Sequence, residues 1–191
     1  VGSGSGHLVS GPSIANHQLE EDLAEFTGYP RAILFSTGYM ANIGICQALL
    51  AKGDYVFEDR LNHASLIYGG LISDARLQRY RHNDASSLKL KLQKADKKSE
   101  KLVLTDGVFS MDGSIAPLPQ ICDLAEKYDA MVMVDDSHAT GFVGVTGRGT
   151  PEFHGVVDRI DIVTSTLGKA LGGASGGFTA ARQEVVDLLS Q

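Results

Sequence analysis

Short apolar runs alternate with amphipathic stretches along the 191 residues of the chain. Several of these runs are continuous rather than alternating, which is typical of strands that are covered on both faces of a sheet. The pattern predicts strands at the following positions: Ala32–Ser36, Tyr55–Glu58, Leu77–Tyr80, Lys101–Thr105, Ala130–Asp135, Asp161–Thr166 and Gly177–Ala181.

Amphipathic stretches between the runs predict helices. His17–Thr27 has its apolar residues on one face, and Pro119–Tyr128 repeats them at the i, i+3, i+4, i+7 spacing of a helix. Pro119 is suited to a first helical turn. The alternation of strands and helices predicts an α/β fold with a mostly parallel sheet and helices on both faces. Ligands then bind at the carboxyl ends of the strands.

Composition and charge narrow the class of protein. A chain of this length forms one domain by default. Its hydrophobic fraction of 43% and charged fraction of 21% are ordinary for a soluble globular protein. A net charge of −6 argues against nucleic acid or an anionic membrane as the main partner. The lysine-rich stretch Lys89–Lys101 carries Leu88, Leu92 and Ala95 at helical spacing, which predicts a solvated helix face.

The two cysteines and the absence of a targeting signal favour a cytoplasmic protein. Cys46 and Cys122 fall within apolar helical patterns and lack the spacing of metal ligands, so we expect reduced core thiols. No signal peptide is visible, and no apolar run approaches the roughly 18 residues of a membrane span.

The candidate chemistry centres on Lys169, which lies in a glycine-rich loop. Asp135 and His138 stand 34 and 31 positions before it, at the end of an apolar strand. A lysine paired with an acid and a histidine is what pyridoxal phosphate chemistry requires, because the lysine forms the Schiff base and the acid keeps the pyridine nitrogen protonated. Taken singly, Lys169 could equally be a solvated loop residue, and Asp135 with Asp136 could cap a helix or bind magnesium.

Three other ligand-binding or catalytic motifs do not match this chain. Lys169 is not the lysine of a Walker phosphate loop, because Val163 stands where glycine is needed and Ala170 where Ser or Thr is needed. Residues 173–177 match a nucleophile elbow, but no histidine follows His154. The Gly2–Gly6 segment is too short for a dinucleotide fingerprint and has no strand before it.

Three further segments fit a phosphorylated aromatic cofactor. Residues 36–42 follow a strand and open a helix, whose first amides would hold a phosphate or would simply be capped by Thr37. His63 also opens a helix, where it would either cap that helix or stack on a cofactor ring. Asp106 follows an apolar strand and is expected at the same sheet edge as Asp135.

Together these segments resemble the α-oxoamine synthases, pyridoxal-phosphate enzymes of the aspartate-aminotransferase fold (fold type I). The matching segments come in family order and cover nearly all of the chain: SGP…NHQLEEDLAEF, FSTGYMAN, DRLNHASL, TDGVFSMDG, VDDSHATGFVG and TSTLGKALGG. The resemblance implies a condensation of an amino acid with an acyl-CoA, with loss of carbon dioxide.

The resemblance also implies roles for individual residues. Lys169 would hold the cofactor as a Schiff base and move protons, Asp135 would pair with the pyridinium nitrogen, and His138 would bind the ring hydroxyl. His63 would stack on the ring and Ser110 would lie beside its oxygen. Asp106 stands where some members have glutamate, so its role is open. Phosphate contacts are expected from the following residues: Thr37, Gly38, Tyr39 and Thr166.

The two halves of the chain resemble different members. Up to about Leu118 the chain is most similar to the member that uses alanine and a pimeloyl thioester in biotin biosynthesis. From Cys122 onward it is more similar to the member that uses glycine and acetyl-CoA. We expect alanine and the pimeloyl thioester as substrates. Glycine with acetyl-CoA is the alternative, and a non-catalytic α/β scaffold is the alternative of another class.

The resemblance further predicts how the chain is organised. Residues 1–191 correspond to the cofactor-binding large domain, and we expect truncation at both ends and no small C-terminal domain. That small domain supplies an arginine for the substrate carboxylate in the family, so we expect residues 1–191 alone to be inactive. A homodimer is expected, with Gly2–Gly6 and the loop after Thr166 at its interface.

Overall fold

A computed structural model describes residues 14–173 and 175–190. The helices of these ranges are α1 (Ile14–Thr27), α2 (Gly38–Leu49), α3 (Ala64–Ile72), α4 (Ala85–Leu92), α5 (Leu118–Tyr128), α6 (Thr150–Phe153) and α7 (Gln183–Leu189). A 3-10 turn spans Val157–Arg159. The strands are β1 (Arg31–Phe35), β2 (Tyr55–Asp59), β3 (Arg76–Tyr80), β4 (Lys101–Asp106), β5 (Met131–Asp135), β6 (Ile162–Thr166) and β7 (Gly177–Ala181).

The strands form one sheet in the order β1-β7-β6-β5-β4-β2-β3. Only β7 runs antiparallel to its neighbours β1 and β6, and the other pairings are parallel. The carboxyl ends of β4, β5 and β6 therefore meet at one edge of the sheet. There Asp106 stands opposite Asp135, and Asp135 stands opposite Thr164.

Helices cover both faces of the sheet, because neighbouring residues of each central strand belong to different cores. On β5, Val132 and Val134 pack with α4 and α5, whereas Met133 packs with α2, α3 and α7. Helix α1 covers the end of the sheet at β1 and β7, on the same face as α4 and α5. This arrangement explains the continuous apolar runs, since both sides of the central strands β4, β5, β6 and β7 are buried.

The predicted architecture is confirmed. All seven strands lie within one residue of their predicted ends, and the two predicted helices correspond to α1 and α5. Cys46 and Cys122 are free and buried, as expected. Among the described residues no helix is both long and apolar enough to cross a membrane.

The prediction of one helix face through the lysine-rich stretch is wrong. Helix α4 buries Leu88 and Leu92 but ends at Leu92, so Ala95 lies in the turn that follows. The Asp96 carboxylate accepts a hydrogen bond from the Lys98 amide at 3.0 Å. Such local bonds compete with helix formation. The Gly2–Gly6 segment, predicted to contribute to an interface, lies outside the described residues.

Candidate active site

A cleft of about 360 Å³ opens where β5 and β6 end and α2 and α3 begin. The cleft is where the sheet topology predicts a binding site, because ligands of parallel α/β sheets bind at the carboxyl ends of the strands. The described residues that line the cleft are Thr37, Gly38, Tyr39, Asn42, His63, Ser65, Asp135, Ser137, Thr166, Gly168, Lys169, Ser175 and Gly176.

Asp135 provides a buried carboxylate in this cleft. Its Oδ1 accepts from the Ser137 amide at 3.1 Å, and its Oδ2 accepts from Asn42 Nδ2 at 2.7 Å. No lysine or arginine of the described residues forms an ion pair with it. Asp135 is only 6% exposed. Neutral donors thus hold this carboxyl group, and no cation of the described residues pairs with it, which suits a cationic ligand group.

The neighbouring carboxylate of Asp136 has a structural role. It is fully buried and accepts two hydrogen bonds from Thr150, at 2.9 Å from the amide and at 2.6 Å from Oγ1. Burial raises its pKa to about 7. Asp136 therefore ties the start of α6 to the end of β5, while Asp135 alone of the two lines the cleft.

His63 caps α3 and links the cleft to β4. Its Nδ1 accepts from the Ser65 amide at 3.2 Å and lies 2.7 Å from Ser65 Oγ. Its own amide donates to Asp106 Oδ2 at 2.8 Å. Burial, and after it the charge of Asp135, raises the pKa of Asp106 to about 8. Asp106 is therefore mainly neutral at pH 7.

Lys169 and His138 come together across 31 residues of sequence, with 3.4 Å between Nζ and Nε2. Burial, followed by the lysine charge, lowers the pKa of His138. The imidazole is thus neutral beside Lys169 Nζ. Lys169 is exposed on its loop, which leaves its amine accessible to an aldehyde.

The start of α2 offers hydrogen-bond donors to the cleft. Thr37 Oγ1 accepts from the Met40 amide at 3.1 Å, whereas the Gly38 and Tyr39 amides donate to no oxygen of the described residues. A side chain at Gly177 would collide with the backbone of Gly38, so β7 lies directly against this helix start. Unpaired first-turn amides at a helix N-terminus bind phosphate well.

The structure brings most of the predicted site residues together. Seven of them line the cleft: Thr37, Gly38, Tyr39, His63, Asp135, Thr166 and Lys169. His138 is beside Lys169, and Asp106 lies behind His63. Ser110 lies in an exposed turn after β4 and does not line the cleft.

Sequence reasoning missed several cleft residues, above all Asn42, Ser65 and Ser137. Asn42 was within the FSTGYMAN segment, and a polar residue among the apolar positions of α2 was the available signal. Ser65 had no such signal, since a serine in the first turn of a helix is ordinary.

These residues fit pyridoxal phosphate. The free amides at the start of α2 suit its phosphate, the unpaired carboxylate of Asp135 suits its protonated ring nitrogen, and the exposed amine of Lys169 suits its aldehyde. Each of these groups lines the same cleft.

The chain belongs to the class I and II aminotransferase family (Aminotransferase class I and II), which it matches over residues 1–191. It is 55% identical to the 8-amino-7-oxononanoate synthase of Methylococcus capsulatus, over 100% of this chain and 49% of that protein. It is also 55% identical to that of Stutzerimonas stutzeri, over 100% of this chain and 48% of that protein. The chain thus spans about half the length of these relatives.

Solved structures of related enzymes are also similar to the chain. Serine palmitoyltransferase of Sphingomonas wittichii superposes with a TM-score of 0.94 at 38% identity, covering 98% of this chain and 47% of that one. A structure of SPT with PLP as the internal aldimine gives 0.93 at 39% identity, covering 98% and 47%. The 8-amino-7-oxononanoate synthase of Francisella tularensis gives 0.79 at 35%, covering 93% and 51%. These findings confirm the α-oxoamine synthase resemblance and the expected cofactor of this class.

Proposed function

We propose that the complete protein containing this chain is a pyridoxal-phosphate-dependent acyltransferase. It condenses L-alanine with a pimeloyl thioester to give 8-amino-7-oxononanoate, a step of biotin biosynthesis. The 3.4 Å approach of Lys169 Nζ to His138 Nε2, in a cleft that also contains the Asp135 carboxylate, carries the proposal. The substrates are those of the relatives that are 55% identical to the chain.

When bound, pyridoxal phosphate supplies an electron sink for the removal of an α-proton and a carboxylate from an amino acid. Lys169 Nζ would hold the cofactor through its aldehyde and would move the α-proton. The imidazole of His138 stays neutral, because burial and the lysine charge lower its pKa. Asp135 holds the ring nitrogen in its protonated form, since an opposite charge favours the cation by roughly 1–3 pKa units.

The remaining predicted residues keep their proposed roles. Thr37, Gly38, Tyr39 and Thr166 contact the phosphate, with the first-turn amides of α2 as donors. His63 would not contact the phosphate but would stack on the cofactor ring. Thr166 Oγ1 accepts from the Gly168 amide at 3.0 Å, which orders the loop that carries Lys169.

The roles proposed for Asp106, at the end of β4, and for Ser110, in the turn that follows, differ in their structural support. Asp106 holds the His63 backbone by accepting from its amide, rather than touching the cofactor. Ser110 is proposed to lie beside the ring oxygen. Its exposed turn lies outside the cleft, so this role requires the turn to move inward.

We also propose a cytoplasmic homodimer in which this chain forms the cofactor-binding large domain. Large apolar side chains are exposed on α2 and α3, the two helices that begin at the cleft: Tyr39, Met40, Tyr68 and Leu71 are 44%, 54%, 49% and 62% exposed. The rings of Tyr39 and Tyr68 are 6.4 Å apart, so the patch continues from α2 to α3. Such apolar surface next to a site favours a protein interface. The buried free thiols suit a reducing compartment.

Cofactor binding is tested with the purified complete protein. We expect a yellow protein whose visible absorbance band is abolished by sodium borohydride. The Lys169→Ala variant should lose both the band and the reducible adduct. An adduct on another lysine in that variant would contradict the assignment, and no band in either protein would favour a non-catalytic scaffold.

Substrate choice is tested separately. The band is titrated with L-alanine and with glycine, and turnover is then measured with the pimeloyl and acetyl thioesters. Faster turnover of alanine with the pimeloyl thioester is expected. Faster turnover of glycine with acetyl-CoA would overturn the proposed substrates while leaving the cofactor assignment intact.

A further inference from the structure

Asn42 connects the cleft carboxylate to three different elements. It lies on α2, is 1% exposed, and sends its side chain toward the ends of β5 and β6. Its Nδ2 donates to Asp135 Oδ2 at 2.7 Å and to Ser65 Oγ at 2.8 Å. Its Oδ1 accepts from Thr164 Oγ1 at 2.8 Å.

These bonds determine the orientation of the amide. The Thr164 hydroxyl donates to Oδ1, so both Nδ2 hydrogens are directed at Asp135 and Ser65. A flipped amide would place two oxygens against each other at Asp135. The amide oxygen and both N–H groups of Asn42 find their partners in this orientation only.

The orientation matters because Asp135 accepts few hydrogen bonds. Only Asn42 bonds to its Oδ2, and only the Ser137 amide bonds to its Oδ1, among the described residues. A donated hydrogen bond favours the ionised form of a carboxylate, and a neutral donor leaves its charge available to a ligand. Through Ser65 the same amide is also linked to His63 Nδ1.

We propose that Asn42 is a positioning residue that holds the Asp135 carboxylate in a fixed orientation in the cleft, directed at the cofactor's ring nitrogen. The inference rests on the proposed function. It assigns Asn42 no contact with the cofactor, since the side chain acts through Asp135. Thr164 has a supporting part, because its hydroxyl fixes the amide orientation.

The test measures the dissociation constant of pyridoxal phosphate by equilibrium dialysis with the complete protein. Asn42→Leu removes the donor at similar volume and should weaken binding about 10- to 100-fold, as expected for a lost hydrogen bond to a charged group. Asn42→Asp should weaken binding increasingly as the pH rises from about 6 to about 9, because a protonated carboxyl can replace the donor and an ionised one repels Asp135.

Thr164 and Thr179 provide a matched pair for the case in which the Asn42 variants fail to fold. They stand opposite each other on β6 and β7, and both are buried. Thr164 bonds to Asn42, whereas the Thr179 hydroxyl has no partner in the described structure. Thr164→Val should weaken cofactor binding about 3- to 10-fold, the effect of one neutral hydrogen bond, and Thr179→Val should leave it unchanged.

The outcomes separate the two proposals. Absence of cofactor binding by the wild type overturns the proposed function itself. Normal binding by the wild type together with equal binding by Asn42→Leu, or equal effects of the two threonine variants, overturns the role of Asn42 alone. A constant ratio of wild-type to Asn42→Asp affinity across the pH range would also overturn it.

Discussion

Asp106 and Asp135 stand opposite each other on the parallel strands β4 and β5, so their side chains leave the same face of the sheet. Two carboxyl groups in such a position do not both ionise readily. Burial first, and the charge of Asp135 second, raise the pKa of Asp106 to about 8. Asp106 is therefore mainly the neutral acid of this pair at pH 7.

The two acids should respond differently to the same substitution. Asp106→Asn replaces a neutral acid by a neutral amide that can still accept from the His63 amide, so we expect the dissociation constant of pyridoxal phosphate to change less than about threefold. Asp135→Asn removes the charge and should raise this constant about 100-fold. Equilibrium dialysis of both variants at pH 7 makes the comparison. Equal losses would show that Asp106 is also ionised.

Gly149 should be intolerant of a side chain. Its φ is +96°, and an added Cβ would collide with the Asp136 carboxylate. We expect Gly149→Ala to lower the free energy of unfolding by about 3 kcal/mol or more, measured by urea denaturation of the apo protein. Gly155→Ala is the control, since Gly155 has φ +65° and open space around its Cβ position. Its cost should be about 1 kcal/mol. Similar costs would argue against the contact with Asp136.

Because Glu58 is buried, we expect the free energy of unfolding to depend on pH. It is fully buried on β2, and neither carboxylate oxygen has a hydrogen-bond partner in the described structure. Burial raises its pKa from 4.5 to about 7. The folded state thus retains a proton that the unfolded state loses above pH 4.5, so the free energy of unfolding falls as the pH rises toward 7.

Glu58→Gln should remove this contribution. The variant should gain stability relative to the wild type between about pH 5 and pH 8, by up to about 3 kcal/mol. Urea denaturation of the apo protein at several pH values measures the difference. Glu100→Gln, at an exposed glutamate, should follow the wild type at every pH. A pH-independent difference between Glu58→Gln and wild type would contradict the prediction.

The exposed apolar patch on α2 and α3 indicates where a substitution should disrupt the proposed dimer. Leu71 and Leu90 are 62% and 58% exposed. Leu71 lies three residues after Tyr68 on α3, so the two share a helix face, whereas Leu90 is on α4. Leu71→Glu should shift the protein toward monomer in sedimentation velocity, because a charge would be buried in an apolar interface. Leu90→Glu should sediment like the wild type. A monomeric wild type would contradict the proposed homodimer.

The sequence by itself determined the positions of the strands and the principal residues of the cleft. Strands buried on both faces require continuous apolar runs, so their ends could be located within one residue. Because parallel strands end at one edge, Asp135 and the loop of Lys169 could be expected to meet, as they do in the cleft.

Only the tertiary structure decided which polar groups bond to one another. Asn42 is 93 residues from Asp135 and 122 residues from Thr164, and no local pattern encodes such bonds. The same holds for the separate partners of Asp135 and Asp136, which are adjacent in sequence but bond to different elements. Periodicity reports which face of an element is buried, whereas hydrogen bonding depends on the packing of distant elements against each other.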